Sequence, residues 1–360
     1  MKYLELHILQ SFPVACLNRD DLNSPKTAIF GGVQRARVSS QSWKRAIREW
    51  ARDEILPSRF KGERSRYIIE PLIEAFKSLG QNQEEAVKAG HELAAALATK
   101  DTDQRTKTLF YATPGELVEF ARAYSSATSK PALKKAIEAL IKKAPQDAAD
   151  IALFGRMVAA DFTAKLEGAA MFSHALSTHK VDNEIDFFAA VDDNQPEDQA
   201  GAGMTSTLEF NSATYYRFAA LNLDMLADKD HLQALNSDER KEIVRTFIEA
   251  TLQAVPGARK NSMNAATLPG YVLGVVRSSG HPVQLVNAFE KPVRAYGGKG
   301  LFETSLEAMK TEREKLNATW GLNVDKKDEK VKKVKKELFS GAIPDINLAD
   351  FLDKVCAHVE

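Results

Sequence analysis

The sequence of 360 residues has only two cysteines, Cys16 and Cys356, which lie near opposite ends of the chain. Two such isolated cysteines show no metal-ligand spacing. They suit free thiols in a reducing compartment. The cysteine content therefore predicts a cytoplasmic protein without a cysteine-bound metal.

Long apolar runs are also missing. The first residues, MKYLELHILQSF, lack the apolar stretch and the small-residue cleavage site of a signal peptide. No segment approaches the ~18 apolar residues that cross a bilayer. A hydrophobic content of 44% with 27% charged residues is ordinary for a soluble globular chain. The length predicts two or more lobes and the composition predicts no membrane partner.

The chain has no net charge, because 49 basic residues balance 49 acidic ones. This balance argues against a wholly basic nucleic-acid coat, so any basic surface must be local. Catalytic motifs are absent as well: the sequence contains no G-x-S-x-G, no P-loop and no H-E-x-x-H pattern. His174 and His179 are five residues apart, and the apolar run around His174 predicts a buried core histidine. We expect no catalytic residue, metal or cofactor.

The positive charge that is present is concentrated in residues 16–52. Eight positive minus three negative side chains gives +5 for this stretch. The basic side chains are Arg19, Lys26, Arg35, Arg37, Lys44, Arg45, Arg48 and Arg52, and the acidic ones are Asp20, Asp21 and Glu49.

The second half of this stretch has the pattern of an amphipathic helix. Ser39 or Ser40 can cap its start. Its cationic face spans a sector of roughly 100° and comprises Gln41, Lys44, Arg45, Arg48 and Arg52, opposite Trp43, Ala46, Ile47 and Trp50. Gly31 and Gly32, upstream, allow a turn or a close approach to a ligand. The stretch is either a solvated basic face or a site for phosphates of a nucleic acid.

Periodicity predicts the remaining elements. Residues 3–9 alternate as in a half-buried strand, with Glu5 and His7 on the open face. Residues 150–157 are predicted as a short strand, and residues 271–277 as another. Helical spacing recurs in residues 69–79, 84–98, 114–124, 131–143, 238–254 and 301–317.

Several sequence blocks occur together in one order along the chain. They read CLNRDD, AIFGG and RVSSQSWKRA, then DIALFGRM, AMFSHALSTHKVDNEIDFFAAVDD, EFNSATYYRFA, VPGARK and NAFEK. In these blocks the chain resembles the CasC-type backbone subunit of the type I-E CRISPR Cascade surveillance complex. The resemblance is weak around residues 61–104 and 299–360.

The resemblance implies an α+β fold with an RRM-like (ferredoxin-like) palm, an inserted all-helical lobe and a protruding β-hairpin thumb. The palm is expected in residues 1–58, 173–180 and 215–360. The helical fingers are expected in residues 59–172, and the thumb arm in residues 181–214.

The resemblance also implies a non-catalytic subunit that polymerises head to tail along the crRNA guide. Its expected partners are the guide, target DNA through the guide, further copies of itself and other Cascade subunits. By matching positions, the residues expected to contact the guide are Arg19, Lys26, Ser39, Gln41, Lys44, Arg48, Met157, Phe188, Met204, Thr205, Arg259 and Lys260.

A lysine-rich helix in the inserted lobe has two interpretations. Its composition alone predicts a solvated face. The resemblance implies a contact with duplex DNA, for which mobile point charges are suited. The lysines concerned are Lys134, Lys135, Lys142 and Lys143. A second lysine run, in residues 325–336, is predicted to be an exposed helix.

Residues 192–206 form the clearest loop of the sequence, with four acidic residues and no basic one. An acidic tip repels phosphates, so contacts of the flanking hairpin with nucleic acid should come from its apolar stem. The resemblance implies a thumb beside a flipped-out guide nucleotide, where aromatic side chains replace lost stacking.

Three other functions remain open at this point. A metal-dependent ribonuclease could use Asp20 or Asp192 on bound RNA. A generic single-strand nucleic-acid-binding protein would share the basic face. A purely structural oligomer subunit would not contact RNA.

Overall fold

The computed structural model describes residues 1–99, 101–159, 163–190, 204–322 and 337–360. The predicted helix at residues 325–336 and most of the acidic loop, including Asp192, lie outside the described residues. The strands are β1 (Tyr3–Ala15), β2 (Thr27–Phe30), β3 (Val33–Val38), β4 (Glu63–Ser65), β5 (Phe110–Ala112), β6 (Arg156–Ala159), β7 (Thr163–Leu166), β8 (Ala170–Phe172), β9 (Ala175–Ser177), β10 (Glu184–Ala190), β11 (Met204–Asn222), β12 (Tyr271–Arg277) and β13 (Glu337–Ile343).

In the described part of the chain, the main sheet is antiparallel and has nine strands. Seven follow one another in the order β13-β12-β1-β11-β9-β3-β2, and β8 and β10 also pair with β11. β11 is the longest strand, with 19 residues, and pairs with four others. It therefore runs from the centre of the sheet into the β10–β11 hairpin.

The helices alternate irregularly with these strands. They are α1 (Ser40–Asp53), α2 (Ile69–Ser78), α3 (Gln83–Ala98), α4 (Pro114–Ser126), α5 (Lys130–Ile141), α6 (Ala149–Phe154), α7 (Leu223–Leu226), α8 (Ser237–Gln253), α9 (Leu301–Trp320) and α10 (Leu348–Cys356), with a 3₁₀ helix at Val286–Phe289. The predicted long helices are confirmed, with bounds that differ by up to three residues.

Helices cover both faces of the main sheet. On one face, α1, α8 and α10 bury Ile47, Phe247 and Phe351 against the inward side chains of β1. On the other face, the 3₁₀ helix and α9 bury Phe289 and Met309. The expectation that β1 is half buried is therefore wrong, since every residue from Tyr3 to Gln10 is buried.

The polar residues of β1 face partners inside the protein. Arg277 donates from Nε to Glu5 Oε1 at 2.9 Å, and His7 Nε2 lies 3.5 Å from Glu5 Oε2. Tyr216 Oη accepts from the backbone N–H of Leu285 at 2.9 Å, so its proton is free to bond His7 Nδ1, also at 2.9 Å. The alternation in the sequence thus indicated a buried polar network and not a solvent face.

The inserted lobe is mainly helical but not all-helical, contrary to the expectation. Helices α2 to α5 enclose an apolar core that includes Phe76, Leu93 and Phe120. Two short antiparallel ribbons, β4–β5 and β6–β7, accompany them. Residues 150–157 are also not a strand: α6 occupies the first part, and Gly155 (φ +75°) separates it from β6.

Arg156 connects the parts of this lobe. Its side chain is buried and pairs with Glu116 on α4, with 2.6 Å between Nη1 and Oε2. The same guanidinium donates to the carbonyl of Tyr111 on β5 at 3.2 Å and to that of Ile141 at the end of α5 at 2.8 Å. A planar group with five donors can satisfy several carbonyls at once. Arg156 therefore fixes the end of the lysine-rich helix.

The hairpin of β10 and β11 is the predicted arm. Its register places Glu184 opposite Phe210 and Ala190 opposite Met204. The apolar side chains of Ile185 and Phe187 are exposed. Apolar side chains on the stem are therefore available for contacts outside the chain, as the sequence predicts.

Both cysteines are buried free thiols. Burial raises the pKa of Cys356 to about 11, so little thiolate forms at neutral pH. Within the described ranges, no three His, Cys, Asp or Glu side chains are grouped as metal ligands. In the same part of the chain, no helix is both long and apolar enough to span a bilayer.

Stability should fall as the pH drops below about 6.5, the ordinary histidine pKa. His179 donates from Nδ1 to the carbonyl of Lys180 and accepts at Nε2 from the N–H of Thr214, which requires the neutral ring. Burial lowers the pKa of both His179 and His7. The unfolded chain then binds protons that the folded chain does not, which favours unfolding in acid.

We expect a loss of about 1 kcal/mol per buried histidine between pH 7.5 and 5.5. Urea unfolding at the two pH values measures it. The His179→Leu variant should be less stable at both and less sensitive to pH, whereas replacing exposed His281 with glutamine should change neither. Equal stability of the parent protein at both pH values would contradict the expectation.

Candidate nucleic-acid interface

Helix α1 presents the cations of the basic stretch. Ser39 caps it, since its Oγ accepts from the backbone N–H of Ser42 at 3.2 Å. Trp43 and Ile47 are buried in the apolar core between α1 and the main sheet. The cationic face predicted from the sequence is therefore turned outward, with one cleft on each side of the helix.

The first of these, the inter-lobe cleft, lies between α1 and β4 and has a volume of about 730 Å³. Leu109 and Phe154 are its apolar lining residues. Five cations and two carboxylates line it: Lys44, Arg45, Arg48, Arg52 and Arg64, with Glu49 and Glu63.

Three of the five cations lack a carboxylate partner. Arg45 pairs with Glu49 and Arg52 with Asp53, each at 2.7 Å. Among the described residues, no carboxylate lies within 4.0 Å of Lys44, Arg48 or Arg64. These three side chains are free to bind an anion in the cleft.

Lys44 lies over two aromatic rings. Its Nζ is 5.9 Å from the centroid of the Phe154 ring and 5.8 Å from that of Phe172. Burial lowers the pKa of Lys44, and the charge of Arg64 lowers it further. The rings favour a cation at this position, and a bound phosphate would compensate both unfavourable effects.

The second, the palm cleft, lies between the other side of α1 and the loop of residues 254–260, with a volume of about 620 Å³. Arg19 and Lys260 line it. Arg19 donates to Asn23 Oδ1 at 3.1 Å. Arg259 lines an adjoining pocket with Cys16, and its Nε is buried without a hydrogen-bond partner among the described residues.

Two further cations, Arg37 and Lys26, lie near His174 at the start of α1. The backbone N–H of Ser40 donates to His174 Nδ1 at 3.1 Å, so the ring proton of the neutral imidazole is on Nε2. Burial lowers the pKa of His174, and the charges of Arg37 and Lys26 lower it further. The prediction of a core histidine is wrong: the ring is largely exposed, because it packs beside the helix end and not under the sheet.

A profile of the CT1975-like protein matches residues 4–352. The chain belongs to the CT1975-like family. No curated protein is similar enough to count as a match.

Solved structures are similar to this CT1975-like chain over nearly its whole length. A chain of a "CRISPR RNA-guided surveillance complex, pre-nicking" matches with a TM-score of 0.77 and 27% identity, covering 99% of this chain and 100% of that one. A chain of a "CRISPR RNA-guided surveillance complex" matches with a TM-score of 0.59 and 24% identity, covering 99% and 98%. At this lower identity, the likeness concerns the fold alone.

The predicted guide contacts of the CT1975-like chain fall into separate places. Gln41, Lys44 and Arg48 line the inter-lobe cleft, whereas Arg19 and Lys260 line the palm cleft. These predicted contacts therefore do not line one pocket, because α1 stands between the two clefts. The Ser39 hydroxyl caps the helix and is nearly buried, and Lys26 is half-buried near His174.

The predicted base contacts lie on the hairpins. Thr205 faces Ala189 across the arm, one position from the pair of Phe188 and Ser206. Met204 begins β11, and its side chain lies outside the described residues. Met157 is 74% exposed on the β6–β7 ribbon. All these positions are on β-hairpins, and their role in contacts with bases stays a prediction.

The predicted DNA-contacting lysines are exposed. Lys134 and Lys135 lie on α5, and Lys142 and Lys143 follow its end. None of the four has a carboxylate partner within the described residues, and none lines either cleft. They form a separate basic surface.

Of the two candidate catalytic aspartates, only Asp20 is described. Its Oδ1 accepts from the backbone N–H groups of Leu22 at 2.9 Å and Ser24 at 3.0 Å. It therefore shapes the turn that carries Arg19.

Sequence reasoning missed Arg64 and Tyr111. Arg64 lies where the sequence shows little periodicity and a weak resemblance. Its only sequence signal is the charged run KGERSR after the basic helix. Tyr111 carries no signal of its own, because its role depends on the pairing of β4 with β5.

Proposed function

We propose that this chain is the RNA-binding backbone subunit of a type I-E CRISPR Cascade complex and binds the crRNA guide. The observation that carries the proposal is the inter-lobe cleft, where Lys44, Arg48 and Arg64 converge without carboxylate partners among the described residues. The likeness to a chain of a CRISPR RNA-guided surveillance complex supports the same conclusion.

Phosphate binding requires no reading of sequence. Charged side chains on α1 hold the sugar-phosphate chain, and the guide reads its target by base pairing. Each contact contributes about 1 kcal/mol. Copies arranged head to tail along one guide add their contacts through effective concentration. A heterologous interface of this kind gives an open filament.

The hairpins supply the contacts with bases. We propose that Phe188, Met204, Thr205 and Met157 lie beside a kinked guide nucleotide. Apolar side chains there replace stacking lost at the kink. The exposed lysines at and after α5 then contact target DNA through its phosphates.

The palm is proposed to be RRM-like. The sheet order β12-β1-β11-β9, with α1 between β1 and β9 in the sequence and α8 between β11 and β12, is that of a ferredoxin-like βαββαβ unit. Helices α1 and α8 cover the same face. The inserted lobe and the arm then extend from this unit.

Lys44→Ala is the test of guide binding. We expect RNA affinity to fall by about tenfold and the slope of log affinity against log salt to become shallower by about 0.7. Titration of labelled single-stranded RNA at several salt concentrations measures both. Lys107→Ala, an exposed lysine outside both clefts, is the matched control. An unchanged slope for Lys44→Ala would contradict a phosphate contact.

We also propose that the subunit does not cleave RNA. Incubation of the assembled complex with Mg²⁺ and labelled target RNA should leave the RNA intact. Periodic cuts abolished by Asp20→Ala or Asp192→Ala would favour the ribonuclease. Purification without a repeat-spacer RNA and companion subunits would favour the generic binding protein or the structural oligomer.

A further inference from the structure

Arg64 and Tyr111 are directly opposite each other in the β4–β5 ribbon. The guanidinium carbon of Arg64 lies 4.6 Å from the centroid of the Tyr111 ring. Arg48, which comes from α1, lies 5.2 Å from the same centroid. The Tyr111 ring therefore contacts two arginines that belong to different lobes.

The Tyr111 ring is fixed from behind by a buried carboxylate. Its hydroxyl donates to Asp150 Oδ2 at 2.7 Å, and Asp150 Oδ1 accepts from the N–H of Gly62 at 3.2 Å. Asp150 is fully buried. A Cβ at Gly62 would lie 2.6 Å from Asp150 Oδ2 and 2.7 Å from the Tyr111 ring, so the packing leaves no room for another side chain.

Strand β5 joins the two apolar cores. Phe110 and Ala112 face the core of the inserted lobe, whereas Tyr111 faces the core of the main sheet. The position of the ring, and with it the spacing of the two arginines, depends on the docking of the lobe against the palm.

Two neighbouring guanidinium groups repel each other unless an anion lies between them. Burial lowers the pKa of Arg64, and the charge of Arg48 lowers it further. Nε of Arg48 is buried and has no hydrogen-bond partner among the described residues. Both carboxylate oxygens of Asp150 already accept hydrogen bonds, one from Tyr111 and one from Gly62. A phosphodiester group in the cleft would offset the repulsion between the two guanidinium groups and accept hydrogen bonds from both.

We infer that Arg48 and Arg64 together bind one phosphodiester group of the RNA strand, and that Tyr111, anchored by Asp150, positions them. The inference rests on the proposed function and adds a subsite that both lobes build. Tyr111 acts here as a positioning residue. The strand binds fully only when the inserted lobe is docked.

A double-mutant cycle tests both parts, with fluorescence anisotropy of a labelled oligouridylate and the full-length chain. Arg64→Gln should weaken binding about tenfold and make the salt slope shallower by about 0.7. Tyr111→Leu should weaken binding about fivefold. The double variant should bind within about twofold of Arg64→Gln, because residues that act through each other are not additive.

Tyr111→Phe replaces Tyr111→Leu in the double-mutant cycle if the leucine variant does not fold. It keeps the ring but loses the hydrogen bond to Asp150, and its smaller effect should likewise shrink in the Arg64→Gln background, where only Arg48 remains to be positioned. Lys107→Gln is the control for the loss of one charge outside the cleft. Effects that add in full would show that Tyr111 is only structural and would overturn the positioning role.

Failure of the inference can be told from failure of the proposed function. If the parent chain binds RNA and Lys44→Ala weakens binding, but Arg64→Gln changes neither affinity nor slope, the subsite is wrong and guide binding stands. If the parent chain does not bind RNA at all, both fail.

Discussion

Changing both Lys44 and Arg48 to glutamate should leave purified particles without guide RNA. The double change removes two cations that have no carboxylate partner in the part of the chain that the structure describes, and it places two carboxylates in the inter-lobe cleft. Two lost contacts and two new repulsions of about 1 kcal/mol each give about 4 kcal/mol, or about a thousandfold in Kd. Repetition along a filament increases this loss.

The measurement is the ratio of RNA to protein in affinity-purified particles, with circular dichroism to confirm folding. Lys134→Glu with Lys135→Glu is the matched control, since it makes the same charge change on exposed α5. These particles should keep their guide and lose affinity for duplex DNA. Particles of the cleft variant that remain equally loaded would refute guide binding at α1.

The position of α1 and its cationic face could be predicted from the sequence because both depend on local signals. A capping serine begins the helix, and the spacing of Trp43 and Ile47 separates its buried side from the cations. Local spacing of this kind requires no knowledge of the rest of the fold.

The inter-lobe cleft could not be predicted, because the position of its second wall depends on residues far along the chain. Arg64 reaches the cleft through the pairing of β4 with β5, and Tyr111 is held by Asp150 on α6. For residues 150–157 the sequence itself predicts a strand, whereas the structure has α6 there. A short buried helix and a buried strand share the same apolar run, so periodicity could not separate them.

The sequence interpretation also counted a buried arginine among the exposed cations. Arg35 counts as one of the eight cations of the basic stretch, but it is fully buried. Its guanidinium donates to the carbonyls of Phe30, Ser177, Phe289 and Glu290 at 2.7 to 3.2 Å. A cation that satisfies buried carbonyls contributes to the fold, so the charge count overstated the exposed basic face.

The two glycines of the AIFGG block also differ in whether they contact the rest of the chain. Gly31 has φ +59°, and a Cβ there would lie 1.7 Å from the carbonyl oxygen of Glu290. Gly32 has φ +75° and, among the described residues, no neighbour within 4 Å of the corresponding Cβ position. The close approach that the sequence suggested is therefore made by Gly31, and it is to the chain's own NAFEK block and not to a ligand.

Gly31→Ala should consequently destabilise the protein far more than Gly32→Ala. Both variants place alanine in a left-handed conformation, at about 1 kcal/mol. Gly31→Ala must also displace the Glu290 carbonyl and disturb the Arg35 bonds, for a total of about 3 to 5 kcal/mol. Urea unfolding of the two variants measures the difference. Equal losses would show that the Gly31–Glu290 contact contributes nothing, and that left-handed strain alone explains the loss of stability in both variants.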